Sequence, residues 1–257
     1  MKILSLILTI CLPTCLFSQN LKPQPTDSIY KFPVHLRTVE GHPRIQSFIM
    51  PAVLLGYGFV SLGDNAIRRL DYSTQAELQE DHSKFAKNAD DYLRFAPAAA
   101  FYALNLAGVK SKHGVADGTG LLVLSQAFMS GSTFFVKKAV SRTRPDNSDH
   151  SSFPSGHTAT AFASAEFLYQ EYHDVSPWIG YAGYTVATAT GVFRLYNNRH
   201  WVSDIVAGAG FGIASTKLAY LVYPHLKKLV VGKQTMTYSV VPLYQQKAAG
   251  ISFNGTF

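Results

Sequence analysis

Residues 137–170 read KKAVSRTRPDNSDHSSFPSGHTATAFASAEFLYQ, and the change of texture inside this stretch decides the fold. Lys137–Phe153 carries Arg142, Arg144, Pro145 and several Ser and Asp residues, the composition of a polar loop. At Ser155-Gly156-His157 the pattern switches, and Gly156–Gln170 reads as a helix rich in small and apolar side chains.

Helical patterns recur on both sides of that loop. Ile45–Gly63 carries no charge, whereas Asp64–Arg94 is strongly charged, with an exposed helix expected over Glu77–Arg94. Phe95–Val109 is apolar, Lys110–Asp117 is a short turn, and Gly118–Val136 is again uncharged. Beyond the loop, Val175–Phe193 and Ser203–Tyr223 read as two further helices. The class is all-α, a bundle of about six core helices over residues 45–230. Ala, Gly, Ser and Thr crowd these helices, and Gly208 and Gly212 form a small-x-x-x-small pair that allows tight helix packing. The glycines at 208, 210 and 212 follow a helical pattern and not a strand, so they are no dinucleotide fingerprint.

The two ends differ from the bundle. Residues 1–18 read as an export signal, with Lys2, an apolar run over Ile3–Ile10 and a cleavage site at Leu16-Phe17-Ser18. Residues 19–44 form a polar, proline-bearing exported lead-in. Residues 231–257 form a β tail. In it Thr237–Tyr244 and Ile251–Phe257 alternate apolar and polar side chains, as a short C-terminal β-hairpin does. Two strands cannot close a barrel, so the tail is expected to be a structural appendage.

Composition narrows the partners. The 257 residues are 47% hydrophobic and only 15% charged, with a formal charge of +7 and a mean hydropathy of +0.05. Low charge favours a membrane setting; the near-neutral hydropathy is low for a multi-span protein. Both cysteines, Cys11 and Cys15, fall inside the signal, which leaves no thiol for a disulfide or a Cys-based metal site. The basic excess suits anionic partners, but no Lys/Arg run with interleaved aromatics marks a nucleic-acid surface. A phosphorylated lipid or small phosphate ester is therefore expected as substrate.

Three runs, Ile45–Gly63, Gly118–Val136 and Val175–Phe193, are each 19 uncharged residues, close to a bilayer span. A cleaved signal followed by three spans before Lys137 would leave the 137–154 loop in the cytoplasm. Export and three full spans conflict, and the expectation is a periplasmic site with membrane association.

Three clusters carry chemistry. The first is Lys137 with Arg144-Pro145, the second Pro154-Ser155-Gly156-His157, the third Arg194, His200 and Asp204. His200 and Asp204 are four apart and would share a helix face. A carboxylate on one imidazole nitrogen fixes the tautomer and frees the other lone pair for attack. Ser155-Gly156-His157 at a helix start offers free N–H groups to an anion, and Gly156 admits close backbone approach. Lys137, Arg144 and Arg194 supply cations for the oxygens of a transferring phosphoryl group, and His157 could protonate the departing oxygen. Each feature alone has an ordinary structural explanation; their joint occurrence between helices does not.

Together these clusters resemble the three-part signature of the type 2 phosphatidic acid phosphatase and vanadium haloperoxidase superfamily, over about Gly118–Tyr223. The resemblance implies a helical bundle in which His200 is the nucleophile, Asp204 its orienting partner and His157 the acid. It implies phosphate binding by Lys137, Arg144, Ser155, Gly156 and Arg194, a phospho-histidine intermediate, no metal or cofactor, and inhibition by vanadate. Phe193 stands where the family often has serine. The other branches, a soluble acid phosphatase on small monoesters and a vanadate-dependent haloperoxidase, remain open, the latter disfavoured by the short chain. A phosphate-binding protein without turnover is disfavoured by the intact His157, His200 and Asp204. The remaining histidines show no metal-ligand spacing and are expected in solvent. Asp64 and Arg68 are placed to pair across a helix turn, and Asp146 and Asp149 to shape the substrate mouth.

Overall fold

The structure, a computed structural model, describes residues 45–82, 85, 88–231, 237–245 and 248–256. The expected signal and lead-in lie outside the described residues. After a 3-10 turn at Ile45–Phe48, the chain forms α1 (Ile49–Val60), α2 (Ala66–His82), α3 (Ala89–Leu93), α4 (Ala96–Leu106), α5 (Val115–Val140), α6 (Gly156–Tyr172), α7 (Pro177–Tyr196) and α8 (Val202–Val231). The all-helical expectation holds for this unit.

Helices α1, α4, α5, α6, α7 and α8 pack side by side, and α2 and α3 lie at the end where α6 and α8 begin. Two core features explain the close packing. Phe101 of α4 meets Phe167 of α6 at 4.9 Å between ring centroids, inside a cluster with Leu121, Leu122, Leu168, Tyr172 and Tyr220. A Cβ at Gly208 would lie 2.6 Å from the Ser155 carbonyl oxygen, and one at Gly212 2.4 Å from that of Ala159. The small pair therefore brings α8 against the start of α6, as its spacing predicts.

The charged stretch behaves differently from its expected form. Glu77–Arg94 is not one exposed helix: α2 starts at Ala66 and ends at His82, and α3 is separate. The Asn65 side chain accepts from the N–H groups of Ile67 (3.0 Å) and Arg68 (3.2 Å), capping α2 upstream of the expected start. Asp71 on α2 and Asp90 on α3 are each 1% exposed, because both have partners at the site described below. Arg68 does not pair with Asp64; it donates to the Tyr72 hydroxyl and the Leu62 carbonyl.

His113 is also buried, contrary to the solvated position expected of it. Its Nδ1 lies 2.6 Å from Glu171 Oε1, and the Tyr220 hydroxyl donates to the same oxygen at 2.5 Å. Lys217 pairs with Glu166 at 2.7 Å. A carboxylate inside a bundle is tolerated only with such partners, which tie α8 to α6.

Among the described residues two helices are long and apolar enough to cross a membrane, Val115–Val140 and Val202–Leu229. The run at Ile45–Gly63 resolves into a 3-10 turn and the 12-residue α1, and α7 does not qualify. Residues 237–245 (β1) and 248–256 (β2) are strands paired antiparallel, Thr237 opposite Thr256. They belong to a second unit, and residues 246–247, the turn of the expected hairpin, lie outside the described residues.

Candidate active site

The last turn of α5 delivers Lys137, where a cation suits the negative end of the helix. Its Nζ donates to the Ser151 carbonyl at 2.5 Å. The polar loop thus begins after Val140, later than expected, with Lys137 on the helix. Ser155 is fully buried and caps α6: its Oγ accepts from Thr158 N–H (3.4 Å), and its own N–H donates to the Asp204 carbonyl (2.9 Å). At Gly156 a Cβ would meet nothing nearer than Lys137 Cε at 4.0 Å. Packing does not require glycine there; its absent side chain leaves room beside the lysine.

His157, in the first turn of α6, lines a cavity of about 350 Å³ together with Arg144, Arg194 and Arg199. Its Nε2 lies 2.7 Å from Asp91 Oδ1 and 3.2 Å from Arg94 Nη1. One nitrogen cannot donate to the carboxylate and accept from the guanidinium at once, and the shorter contact puts the proton toward Asp91. Burial holds the His157 pKa below the ordinary histidine value; Asp91 opposes this, and Arg194 and Arg94 add to it.

Arg194 ends α7. Its Nη1 donates to Asp90 Oδ2 at 2.7 Å, while its buried Nε has no hydrogen-bond partner among the described residues. Arg144 donates through Nε to Asp149 Oδ1 (2.9 Å) and through Nη2 to Ser151 Oγ (3.3 Å). Asp146 pairs with Arg199 at 2.8 Å. Both loop aspartates expected at the mouth thus hold arginines.

His200 is 3% exposed and precedes α8, so it and Asp204 do not share a helix face as the four-residue spacing predicts. The turn at Trp201 brings them together: Asp204 Oδ2 reaches back to Trp201 N–H (3.0 Å), as the acid of a capping box does. Its distance to His200 Nδ1 is 3.6 Å, within ion-pair range and too long for a hydrogen bond. Burial pushes the His200 pKa down to about 4; Asp204 resists, and Lys137 and Arg194 lower it further. The imidazole is therefore neutral at ordinary pH and keeps a lone pair.

Asp204 is held by donors that spacing did not reveal. Arg142 Nη1 donates to its Oδ1 (2.8 Å) and Ser152 Oγ to its Oδ2 (2.5 Å). The same Arg142 donates through Nη2 to Asp71 Oδ2 (2.8 Å) and sits over the Trp201 ring at 5.4 Å. Asp71, Asp90 and Asp91 from α2 and α3 thus reach Arg142, Arg194 and His157 in turn. The one sequence signal pointing to them is the excess of cations in the three clusters, which requires nearby anions.

Asp90, Asp91 and His157 bring possible ligand atoms within 4.8 Å of one another. Asp90 is bonded to Arg194 and Asn197, and Asp91 to His157. Arg94 and Arg194 lie beside them, so two guanidinium groups already face the carboxylates and the imidazole.

Residues 118–228 match the PAP2 superfamily. Over 99 residues the chain is 40% identical to a lipid A 1-phosphatase of Porphyromonas gingivalis, covering 38% of this chain and 22% of that protein. The chain therefore spans about a fifth of the length of that relative. Among solved structures it is similar to a transmembrane PAP2-type phosphatidylglycerolphosphate phosphatase from Bacillus subtilis (TM-score 0.47, 17% identity, 72% of this chain and 99% of that one). A second is Aquifex aeolicus LpxE (TM-score 0.42, 19% identity, 56% and 92%). The stretch that matches the PAP2 superfamily contains all three motif clusters.

Proposed function

We propose that this chain is a member of the PAP2 superfamily and a metal-independent phosphatase that removes phosphate from a lipid through a phospho-histidine intermediate. Arg194 carries the reading. Its Nη1 is fixed on Asp90 and its buried Nε lacks a partner among the described residues, the arrangement of a donor that an incoming anion satisfies. Lys137 and Arg144 add charge, and the space beside Gly156 accommodates a phosphoryl oxygen.

In the first step the lone pair of neutral His200 attacks phosphorus as the ester P–O bond breaks. His157 gives its proton to the departing oxygen. Asp204, kept anionic by Arg142, Ser152 and Trp201 N–H, stabilises the imidazole as it gains positive character. Water then attacks the phospho-histidine and loses a proton to His157, which releases phosphate and restores both histidines.

A lipid-borne phosphate is favoured by the similarity to a lipid A 1-phosphatase. It is also favoured by the apolar outer face of α5, where Val123, Phe134 and Phe135 are 63%, 53% and 72% exposed. The reading includes export and membrane attachment with the site in the periplasm. A reporter fused after Ser148 would give a cytoplasmic signal if that placement were wrong.

The mechanism is tested with His200→Ala. The folded variant should release no phosphate, and labelled substrate should leave label on His200 in the native protein. Near-native release by the variant would refute the histidine nucleophile.

A further inference from the structure

Beside the cavity that holds His157 lies a second of about 610 Å³, and Arg144 lines both. The second is walled by the loop after α5, the α1–α2 turn at Leu62, Arg68 and Tyr72 on α2, and Trp201. Among the described residues three arginines line it, and no Asp or Glu does. Two of them are already neutralised: Arg142 bridges Asp71 and Asp204, and Arg144 holds Asp149.

Arg68 differs. It donates through Nε to the Tyr72 hydroxyl at 3.0 Å and through Nη1 to the Leu62 carbonyl at 2.9 Å, and it makes no ion pair among the described residues. Both acceptors are neutral, so the guanidinium is held in place while its charge stays uncompensated in the cavity wall. That is the condition for binding an anion with little ordering cost. Beside it, the Tyr72 ring is edge-on to Trp201 at 5.0 Å, and Tyr72 is 46% exposed. An open aromatic next to hydroxyl and amide groups suits a ring with an apolar face and polar edges, such as a sugar. The size falls in the usual range for a ligand cleft, roughly 300–1,000 Å³.

We propose that this cavity is a subsite for the substrate head group, taking a saccharide that carries a second phosphate. That phosphate binds Arg68 and the sugar ring lies on Tyr72. The proposal rests on the phosphatase reading: with Arg144 as shared wall, a head group whose first phosphate is in the His157 cavity extends into the second. Arg68 and Tyr72 lie on α2, ahead of the family-matched residues 118–228, so the subsite is a feature of this chain outside that match.

Initial rates in mixed micelles test it with three substrates: a glucosamine-disaccharide glycolipid bearing a phosphate at each end, phosphatidic acid, and an isoprenyl diphosphate. Arg68→Gln should raise KM for the glycolipid about tenfold, the loss of roughly one charge-assisted bond, and leave kcat and both phosphatidic acid constants within about twofold. Arg68→Lys should keep most of the native glycolipid KM. The diphosphate arm separates a phosphate carried on the sugar from one joined directly to the first. A rise shared by all three substrates, a rise for the diphosphate alone, or an unchanged glycolipid KM would each overturn the subsite. If the native protein acts on phosphatidic acid and not on the glycolipid, the subsite is wrong and the phosphatase reading stands. If none is hydrolysed, the phosphatase reading fails, and equilibrium binding of the glycolipid to native and Arg68→Gln protein decides the subsite by itself: tighter binding to native protein supports it, equal binding overturns it.

Discussion

Replacing Asp71 with Asn probes how the surroundings of His200, the proposed nucleophile, are held. Asp71 is 1% exposed; Oδ1 accepts from Ser203 N–H at 2.9 Å, and Oδ2 from Arg142 Nη2 at 2.8 Å and Ser203 Oγ at 2.5 Å. Asparagine has one acceptor oxygen, so its NH₂ must face either Ser203 N–H or Arg142, both donors. Removing one member of a buried charge pair costs about 3–5 kcal/mol when the other is orphaned. Arg142 keeps Asp204, so the expected loss of stability is smaller, about 2–3 kcal/mol. The guanidinium then leans on Asp204 alone and weakens the charge that stabilises His200 during attack. By analogy with supporting residues around metal ligands, kcat should fall about 10- to 100-fold. Phosphate release and thermal unfolding would be measured in the same micelles, with kcat/KM followed against pH. The acid limb of that profile reports His200 in the free enzyme, near 4 in the native protein. Loss of the Asp71 charge makes the imidazolium less favourable, so the limb should move to lower pH. A purely structural role would lower the unfolding midpoint and leave the limb in place. Native kcat with an unmoved limb would refute the reasoning.

Two further outcomes follow from the same geometry. In the proposed mechanism His200 must be neutral, which holds above about 4, and His157 must be protonated, which burial confines to below the ordinary histidine value. The kcat/KM profile should therefore peak on the acid side and decline as pH rises; a flat profile from about pH 6 to about 9 would contradict these roles. Chelators should leave the rate unchanged and vanadate should inhibit by occupying the phosphoryl site. Activity lost with chelator and restored by a divalent ion would instead mean that Asp90, Asp91 and His157 hold a metal. Halide oxidation by vanadate-loaded protein at a rate rivalling phosphate release would favour the haloperoxidase branch.

Local pattern revealed the helices that carry the motifs, because Gly156–Gln170 and Ser203–Tyr223 each show their character within one segment. Gly208 and Gly212 were legible for the same reason: a four-residue spacing on one helix is all that close approach to Ser155 and Ala159 needs. Asp71 and Asp90 were not legible. In sequence they belong to a charged stretch that resembles a solvated face, and what buries them lies far along the chain, Ser203 for Asp71 and Arg194 for Asp90. His113 was misread for the same cause, since its partner Glu171 stands on another helix. Spacing also misplaced His200, because a turn can bring residues four apart together as a helix does.

A site this rich in cations needs α2 and α3. Lys137, Arg142, Arg144, Arg194 and Arg199 gather at one end of the bundle, and their mutual repulsion would oppose folding without anions among them. The two most buried guanidinium groups, on Arg142 and Arg194, receive carboxylates that are themselves 1% exposed, Asp71 and Asp90. Water screens these pairs little, so they stay formed whether or not substrate is present. Asp91, with a side chain 49% exposed, is different, because its contact with His157 is open to solvent and to competition from a ligand. Fixed neutralisation at Arg142 and Arg194, with the exchangeable carboxylate reserved for His157, lets the site fold around clustered cations; in the proposed mechanism Arg194 Nε, without a partner among the described residues, then bonds an oxygen of the substrate.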